Sequence, residues 1–358
     1  MQDIFKFAVI NSKKAMRVTI AADRLNELIQ TSSDVIIFGH ENPDGDSIGS
    51  CVGMYHYLKG LGKDPHMIIN NRLPDYFVFL VPDGALTYFV EDPNKCEELV
   101  AKADLLVFLD MNGMNRAGEV SKMVEDRIGH NPSVRKVLID HHLNPRTEEF
   151  DVVVSDTEVS SACELLYQVL LEQPGVAADV NRLSIECAAA LLTGILTDTN
   201  NFANSVYPST YLAVSALQGR GVDRDAIYDE VFRSYSRIRM RLMGYMLHDN
   251  MRFVDPCVAY FTLSERIKEQ YGFVRGDSEG FVNMPLTVKD IRMSAFFTEE
   301  ADYVKVSLRS KGDIDVNDFA HKYCNGGGHK NASGGRLYMS LEDVPEYFES
   351  KVKEFFAR

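Results

Sequence analysis

Three short apolar runs constrain what this chain can fold into, because each stops at a side chain able to bind a cation. Val35-Ile36-Ile37-Phe38 leads through Gly39 to His40, Leu105-Leu106-Val107-Phe108-Leu109 stops at Asp110, and Val134 to Ile139 stops at Asp140-His141-His142. Runs this short and continuously apolar read as strands buried on both faces. Helix-like stretches separate them, so the expected fold is α/β with a parallel sheet. In such sheets ligands gather beyond the carboxyl ends of the strands, near a switch point. One acidic strand end means little. Three in one sheet put their groups along one edge, and that coincidence is the main reason to expect a site.

The stretch Gly39-His40-Glu41-Asn42-Pro43-Asp44-Gly45-Asp46-Ser47-Ile48-Gly49-Ser50 is the richest of these ends. His40, Asp44 and Asp46 supply an imidazole and two carboxylates, which suit a borderline-hard divalent cation, manganese ahead of magnesium or zinc. Pro43, Gly45 and Gly49 read as a tight turn folding His40 back toward the aspartates. A polar turn with solvated aspartates is the plain alternative. Ser161-Ala162-Cys163-Glu164 has the form of a capping box, which accounts for Ser161 without a phosphate contact at this N-terminus. Ile185 to Thr197 reads as a helix buried on all sides. It runs into Asp198, an acid poorly placed for the helix dipole. A bound cation would offset that, and a solvated cap is the alternative.

Further helices are expected at Ala21–Gln30, Ser50–Leu61 and Lys95–Ala103, with strands at Met67–Ile69 and Val152–Val154. Ala226 to Asp249 reads as one long helix whose second half connects to another domain. Beyond it come strands Val258–Leu263, Met293–Phe297, Tyr303–Leu308 and Arg336–Met339, and a closing helix Val344–Phe356. The expected division is a parallel-sheet domain over residues 17–235, a helical linker over 236–252, and a smaller α/β domain over 253–358. A helix at Asp318–Tyr323 stops at the stretch Gly326 to Gly335. Read as a loop, that stretch has backbone N–H groups free to face an anion, with His329, Lys330 and Arg309 as further donors. Glycine runs also serve only as turns, and this one is not a P-loop.

Net charge bounds the partners. The chain carries 52 acidic against 38 basic residues, net −14. It therefore lacks the broad basic face that long nucleic acid demands, and a small anion or very short oligonucleotide fits better. No apolar run is long enough to cross a bilayer. Residues 1–16 carry no cleavable signal pattern and read as an extension before an alternative start at Met16, so a cytoplasmic protein is expected. The six cysteines form no C-x-x-C pair and read as buried free thiols in a reducing compartment.

Together these motifs resemble the DHH phosphoesterases, named for the triplet found here as Asp140-His141-His142. Gly39 through Ser50 matches the first motif, Asp110 with Asn112 and Arg116 the second, and Thr197-Asp198-Thr199 the fourth. Gly326 through Gly335 is similar to the associated DHHA1 substrate domain. The resemblance runs from about Thr19 to the C-terminus and is strongest to the stand-alone nanoRNase and pAp phosphatase branch. It implies two Mn²⁺ ions, with Mg²⁺ or another divalent cation as substitutes. His40, Asp44 and Asp110 would hold one; Asp46, Asp110, His141 and Asp198 would hold the other, with Asp110 bridging. Asp140 would orient the neighbouring histidines. His142 would contact the reacting phosphate or protonate the leaving oxygen. Arg116, Arg309 and His329, with Gly327, Gly328 and Ser333, would bind substrate. The implied reaction is hydrolysis of oligoribonucleotides of about two to five nucleotides to mononucleotides, and of 3′-phosphoadenosine 5′-phosphate. The alternatives are a cyclic di-AMP or pApA phosphodiesterase, an inorganic pyro- or polyphosphatase, and a non-catalytic nucleotide-binding protein. No long nucleic acid and no membrane is expected as partner, and a homodimer stays open. One departure is Met111, where relatives carry a small or hydroxyl residue after the second-motif aspartate.

Overall fold

The computed structural model describes residues 18–254, 257–274 and 276–357, so the extension read over residues 1–16 lies outside the described residues. The chain divides into two units between Ser234 and Tyr235. In the first, helix α1 (residues 18–31) precedes β1 (Val35–Phe38), α2 (Gly45–Gly60), β2 (His66–Ile69), β3 (Leu86–Tyr88), α3 (Pro93–Lys102) and β4 (Leu105–Leu109). Then follow α4 (Val120–His130), β5 (Arg135–Asp140), β6 (Val152–Ser155), α5 (Ala162–Leu171), α6 (Ile185–Asp198), α7 (Pro208–Gly219) and α8 (Arg224–Phe232). The six strands run parallel in the order β3-β2-β1-β4-β5-β6. Strand order reverses between β1 and β4, which makes their carboxyl ends the switch point of the sheet.

Continuous apolar strands are needed because both faces are covered. Val35, Ile37, Leu105, Val107 and Leu109 enter one core with residues of α2, α5 and α6. Their alternates Ile36, Phe38, Leu106 and Phe108 enter a second core with Val100 of α3 and Val124 of α4. Each such fully buried side chain contributes roughly 1.5–3 kcal/mol. Met111 belongs to the second core, which explains an apolar residue beside Asp110.

Two features correct the expected outline. α2 begins at Gly45, five residues before the expected start, because Asp44 caps it: its Oδ1 accepts from the N–H groups of Asp46 and Ser47 at 3.0 and 3.1 Å. Residues 45–50 of the expected turn are thus the first stretch of a helix, while residues 39–44 form the turn that brings His40 within 3.7 Å of Asp44. The second correction is the long helix over Ala226–Asp249, which is interrupted. After α8 the chain restarts as α9 (Arg237–Tyr245), where Ser236 Oγ accepts from Arg239 N at 2.9 Å. A π turn over Met246–Asn250 follows, and Leu242 and Met246 pack with Phe261 and Phe281. Residues 237–250 are therefore built into the second unit.

α2 and α6 lie with their backbones almost touching. A Cβ on Gly49 would sit 2.6 Å from the Ala190 carbonyl. Only glycine permits this approach, and it draws Asp46 of α2 toward Asp198 at the end of α6.

The second unit adds β7 (Arg252–Val254), β8 (Val258–Leu263), α10 (Glu265–Tyr271), β9 (Met293–Glu299), β10 (Val304–Ser310), α11 (Val316–Tyr323), β11 (Gly327–His329), β12 (Ala332–Leu337) and α12 (Val344–Phe356). Its sheet has the order β11-β12-β10-β9-β8-β7, with β8 and β9 parallel and the other pairs antiparallel. Phe297, Phe319 and Phe348 fill its core. The glycine stretch is a hairpin here, not an open loop: Gly327 pairs with Gly334, Gly328 with Ser333 and His329 with Ala332. Gly328 N–H, expected to face an anion, donates to Asn317 Oδ1 at 2.8 Å. The last strand accordingly starts at Ala332, ahead of the expected Arg336. Among the described residues no helix is long and apolar enough to cross a membrane.

Candidate metal centre

Register brings the first ligands together. Phe38 pairs with Phe108, and Phe108 with Leu138. His40, Asp110 and Asp140 each lie two residues further on, so they leave the carboxyl edge side by side at the switch point.

His40 Nδ1 lies 2.9 Å from the Glu41 carbonyl, which can only accept, so Nδ1 carries a proton. That turns Nε2 toward Asp110 Oδ2 at 3.4 Å and Asp44 Oδ1 at 3.7 Å. The His40 N–H donates to Ser47 Oγ at 3.0 Å, and Glu41 N–H to the Arg116 carbonyl at 2.7 Å. Asp110 adopts φ 58°, a left-handed conformation that aspartate tolerates better than most residues. Its N–H donates to the Ile139 carbonyl at 3.1 Å, and its carboxylate turns sideways across the edge. Oδ1 then faces His141 Nε2 at 3.5 Å and His142 Nδ1 at 3.6 Å.

His141 Nε2 also faces Asp198 Oδ2 at 3.6 Å and Asp46 Oδ2 at 3.8 Å. Asp46 is buried against the start of α5, where Oδ2 accepts from Ala162 N at 2.6 Å and Oδ1 from Cys163 N at 2.9 Å. His142 Nδ1 lies 2.7 Å from Asp140 Oδ1, which commits that nitrogen to Asp140 and removes it as a cation ligand.

Three groups have ligand atoms within 4.8 Å of one another, His40–Asp44–Asp110, Asp46–His141–Asp198 and Asp110–His141–His142. With His142 Nδ1 held by Asp140, the first two are the triads that can hold cations. Asp110 offers one oxygen to each side. Asp110 Oδ1 is buried and has no hydrogen-bond partner among the described residues. Native structures rarely leave such an atom unsatisfied, and a cation satisfies it. Imidazole with carboxylate donors suits a divalent ion of the manganese or magnesium kind.

The charges agree. Burial and the nearby Asp110 charge push Asp46 up to about 7, and burial together with Asp46 holds Asp198 well above the usual carboxylate range. Burial acts against ionised Asp110 too, but His141 and His40 outweigh it and hold Asp110 well below that range. Burial would lower His141, yet Asp110, Asp46 and Asp198 overrule it and push the imidazole up to about 10. Four carboxylates this close demand positive charge, from protons or from divalent cations.

All six expected ligands converge. Arg116 lies exposed on the 3₁₀ turn Met114–Ala117. In the second unit Arg309 and His329 register with Ala332 from opposite sides. Arg309 is half-buried, and that burial draws its guanidinium down from the usual value. His329 and Gly328 are exposed, Gly327 is half-buried, and buried Ser333 donates to the His329 carbonyl at 2.8 Å. Sequence reading missed the grip of α5 on Asp46. Its only trace was the Ser161–Glu164 cap, and nothing local ties that cap to Asp46.

Family comparison identifies the class of molecule. Residues 34–195 match the DHH family, N-terminal domain, and residues 255–358 match the DHHA1 domain. The chain belongs to the DHH family of phosphoesterases and is a hydrolase acting on phosphoric ester bonds. It is 31% identical to the bifunctional oligoribonuclease and PAP phosphatase NrnA of Thermus thermophilus, over 90% of each chain. It is 27% identical to the cyclic-di-AMP phosphodiesterase GdpP of Bacillus subtilis, over 97% of this chain but 51% of that protein. Among solved structures, an exopolyphosphatase-related protein from Bacteroides fragilis superposes with a TM-score of 0.87 at 33% identity, covering 94% of this chain and 96% of that one.

Proposed function

We propose that this enzyme is Mn²⁺-dependent and hydrolyses oligoribonucleotides of about two to five nucleotides to mononucleotides, with 3′-phosphoadenosine 5′-phosphate as a second substrate. One observation carries the two-cation part: the oxygens of Asp110 are divided between the two triads, 3.4 Å from His40 and 3.5 Å from His141. His40, Asp44 and Asp110 would hold one ion, and Asp46, Asp110, His141 and Asp198 the other. Divalent cations held there supply an acidified water and positive charge for the phosphoryl oxygens. The protein's own groups do the rest. Arg116 binds a phosphate oxygen through its fork of donors. Asp140 fixes the His142 ring through Nδ1, and Nε2 hands a proton to the departing ribose oxygen. Arg309 and His329 bind the substrate away from the reacting phosphorus, while the Gly327–Gly334 and Gly328–Ser333 pairs build the hairpin that carries His329.

Likeness to NrnA over 90% of both chains supports the short-oligonucleotide reading, and so does the net charge of −14, which disfavours long polymers. The described free thiols suit a cytoplasmic setting. A second reading, hydrolysis of cyclic di-AMP or pApA, is favoured by the GdpP match, which spans nearly the whole chain. The full chain with Mn²⁺ should be assayed side by side on several dinucleotides, a pentanucleotide, pApA, pAp, cyclic di-AMP and pyrophosphate. Mononucleotide release from unrelated dinucleotides is the expected result. Inactivity on every di- to pentanucleotide and on pAp would overturn the proposal. A marked preference for pApA or cyclic di-AMP would favour the second reading, and turnover of pyrophosphate alone would reassign the enzyme to inorganic substrates.

A further inference from the structure

Glu164 is a fully buried carboxylate that the proposed reaction does not use, and it has no ion-pair partner among the described residues. Its Oε2 accepts from Ser160 N at 3.0 Å, Ser160 Oγ at 2.6 Å and Thr210 Oγ1 at 2.6 Å; its Oε1 accepts from Gln168 Nε2 at 3.3 Å. Glu164 lies in the first turn of α5 and Thr210 in the first turn of α7, where Thr210 Oγ1 also accepts from Tyr207 N at 3.1 Å. Two helix N-termini thus take the place of a counter-ion. Burying a carboxylate is a poor way to gain stability. What it adds is a fixed junction between the two helix starts.

That junction leads to the metal centre. Ser161 Oγ accepts from Glu164 N at 3.0 Å, and the next two N–H groups, of Ala162 and Cys163, hold the two oxygens of Asp46 at 2.6 and 2.9 Å. We infer that Glu164 is a positioning residue for the cation held by Asp46, His141 and Asp198, acting by locking the start of α5 so that its N–H groups fix the Asp46 carboxylate. Glu164 reaches the site only through the carboxylate of Asp46, whereas Asp44 meets Asp46 at its backbone N–H, so the effect is one-sided. The inference rests on the two-cation reading.

The test is Mn²⁺ titration of the full chain, followed by calorimetry and by the spin-resonance signal of free Mn²⁺, with thermal unfolding recorded alongside. Asp44→Asn and Asp198→Asn identify which binding step belongs to which triad. Glu164→Gln should weaken Mn²⁺ about 10- to 100-fold at the step lost in Asp198→Asn and about twofold or less at the other, and excess Mn²⁺ should restore turnover. Unchanged affinity at that step, or equal loss at both, would overturn the inference. Should Glu164→Gln fail to fold, Ser160→Ala and Thr210→Val, which each remove one donor to the same carboxylate, decide by the same asymmetry. A wild type that binds a single Mn²⁺ would overturn the two-cation reading. The inference would then be decided by whether Glu164→Gln weakens that one ion about tenfold.

Discussion

In the parallel sheet of the first unit His40, Asp110 and His141 stand just past the strands, whereas in the mixed sheet of the second the residues proposed to meet substrate keep ladder register, Arg309 inside β10 and His329 at the last paired position of β11. At a strand end the backbone is released from its ladder, so Asp110 can adopt φ 58° and turn its carboxylate between two histidines. At a paired ladder position that freedom is absent. Arg309 and His329 keep the register of their ladders on either side of Ala332, which suits holding a ligand more than converging on one atom. On the proposed reading, the contrast separates chemistry, built by convergence, from binding, built on an ordered surface.

The largest expected effect tests the converging edge. Asp110→Asn removes the carboxylate shared by both triads. Cations stabilise transition-state charge by several kcal/mol, so turnover should fall at least about 10³-fold. Wild-type protein should also melt higher with Mn²⁺, by about 2.7 kcal/mol of added stability at a hundred times Kd, and the variant should lose that rise. Activity within about tenfold of wild type would break the assignment of the edge. The next effect sharpens the other side. His329→Ala and Arg309→Ala should each raise KM about 10- to 100-fold, the worth of one hydrogen bond to a charged group, with kcat and Mn²⁺ titration nearly unchanged. An equal fall in kcat would erase the distinction between the two sheets.

Those two outcomes also measure what was legible in the sequence. His40, Asp110 and the Asp140–His142 triplet were readable because an apolar run ending in an ionisable residue is a local pattern, and parallel topology then places such ends together. Asp198 was readable because an acid at the close of an apolar helix needs compensation. What escaped depends on partners distant in sequence. The grip on Asp46 joins residues 116 positions apart. The glycine hairpin looks like a loop until the pairing of Gly327 with Gly334 is known. The early start of α2 hangs on Asp44, whose carboxylate was assigned wholly to a cation although it also caps the helix. β3, with three residues, and α4, with only Val120, Ser121 and Val124 buried, carry too little periodicity to stand out.

Glycine substitutions give the smallest effects and the finest comparison of the two units. A Cβ at Gly49 would lie 2.6 Å from the Ala190 carbonyl and 3.1 Å from Gly194 N, both backbone atoms of α6. The helices must separate to admit it, at a cost of about 1–3 kcal/mol, which is about 2–4 °C of Tm per kcal/mol in a unit of this size. Because α2 carries Asp46 and α6 carries Asp198, Gly49→Ala should weaken Mn²⁺ binding as well. A Cβ at Gly327 would instead meet His321 Cε1 at 2.8 Å. That atom lies at the far end of an exposed side chain that can rotate away, so Gly327→Ala should cost less than about 1 kcal/mol, as surface changes away from special features do, and leave Mn²⁺ binding untouched. Melting curves and Mn²⁺ titrations of the two variants check this. Equal losses would mean that the hairpin is as tightly determined as the helix pair beneath the candidate metal centre, and the division between a converging site and an ordered surface would have to be abandoned.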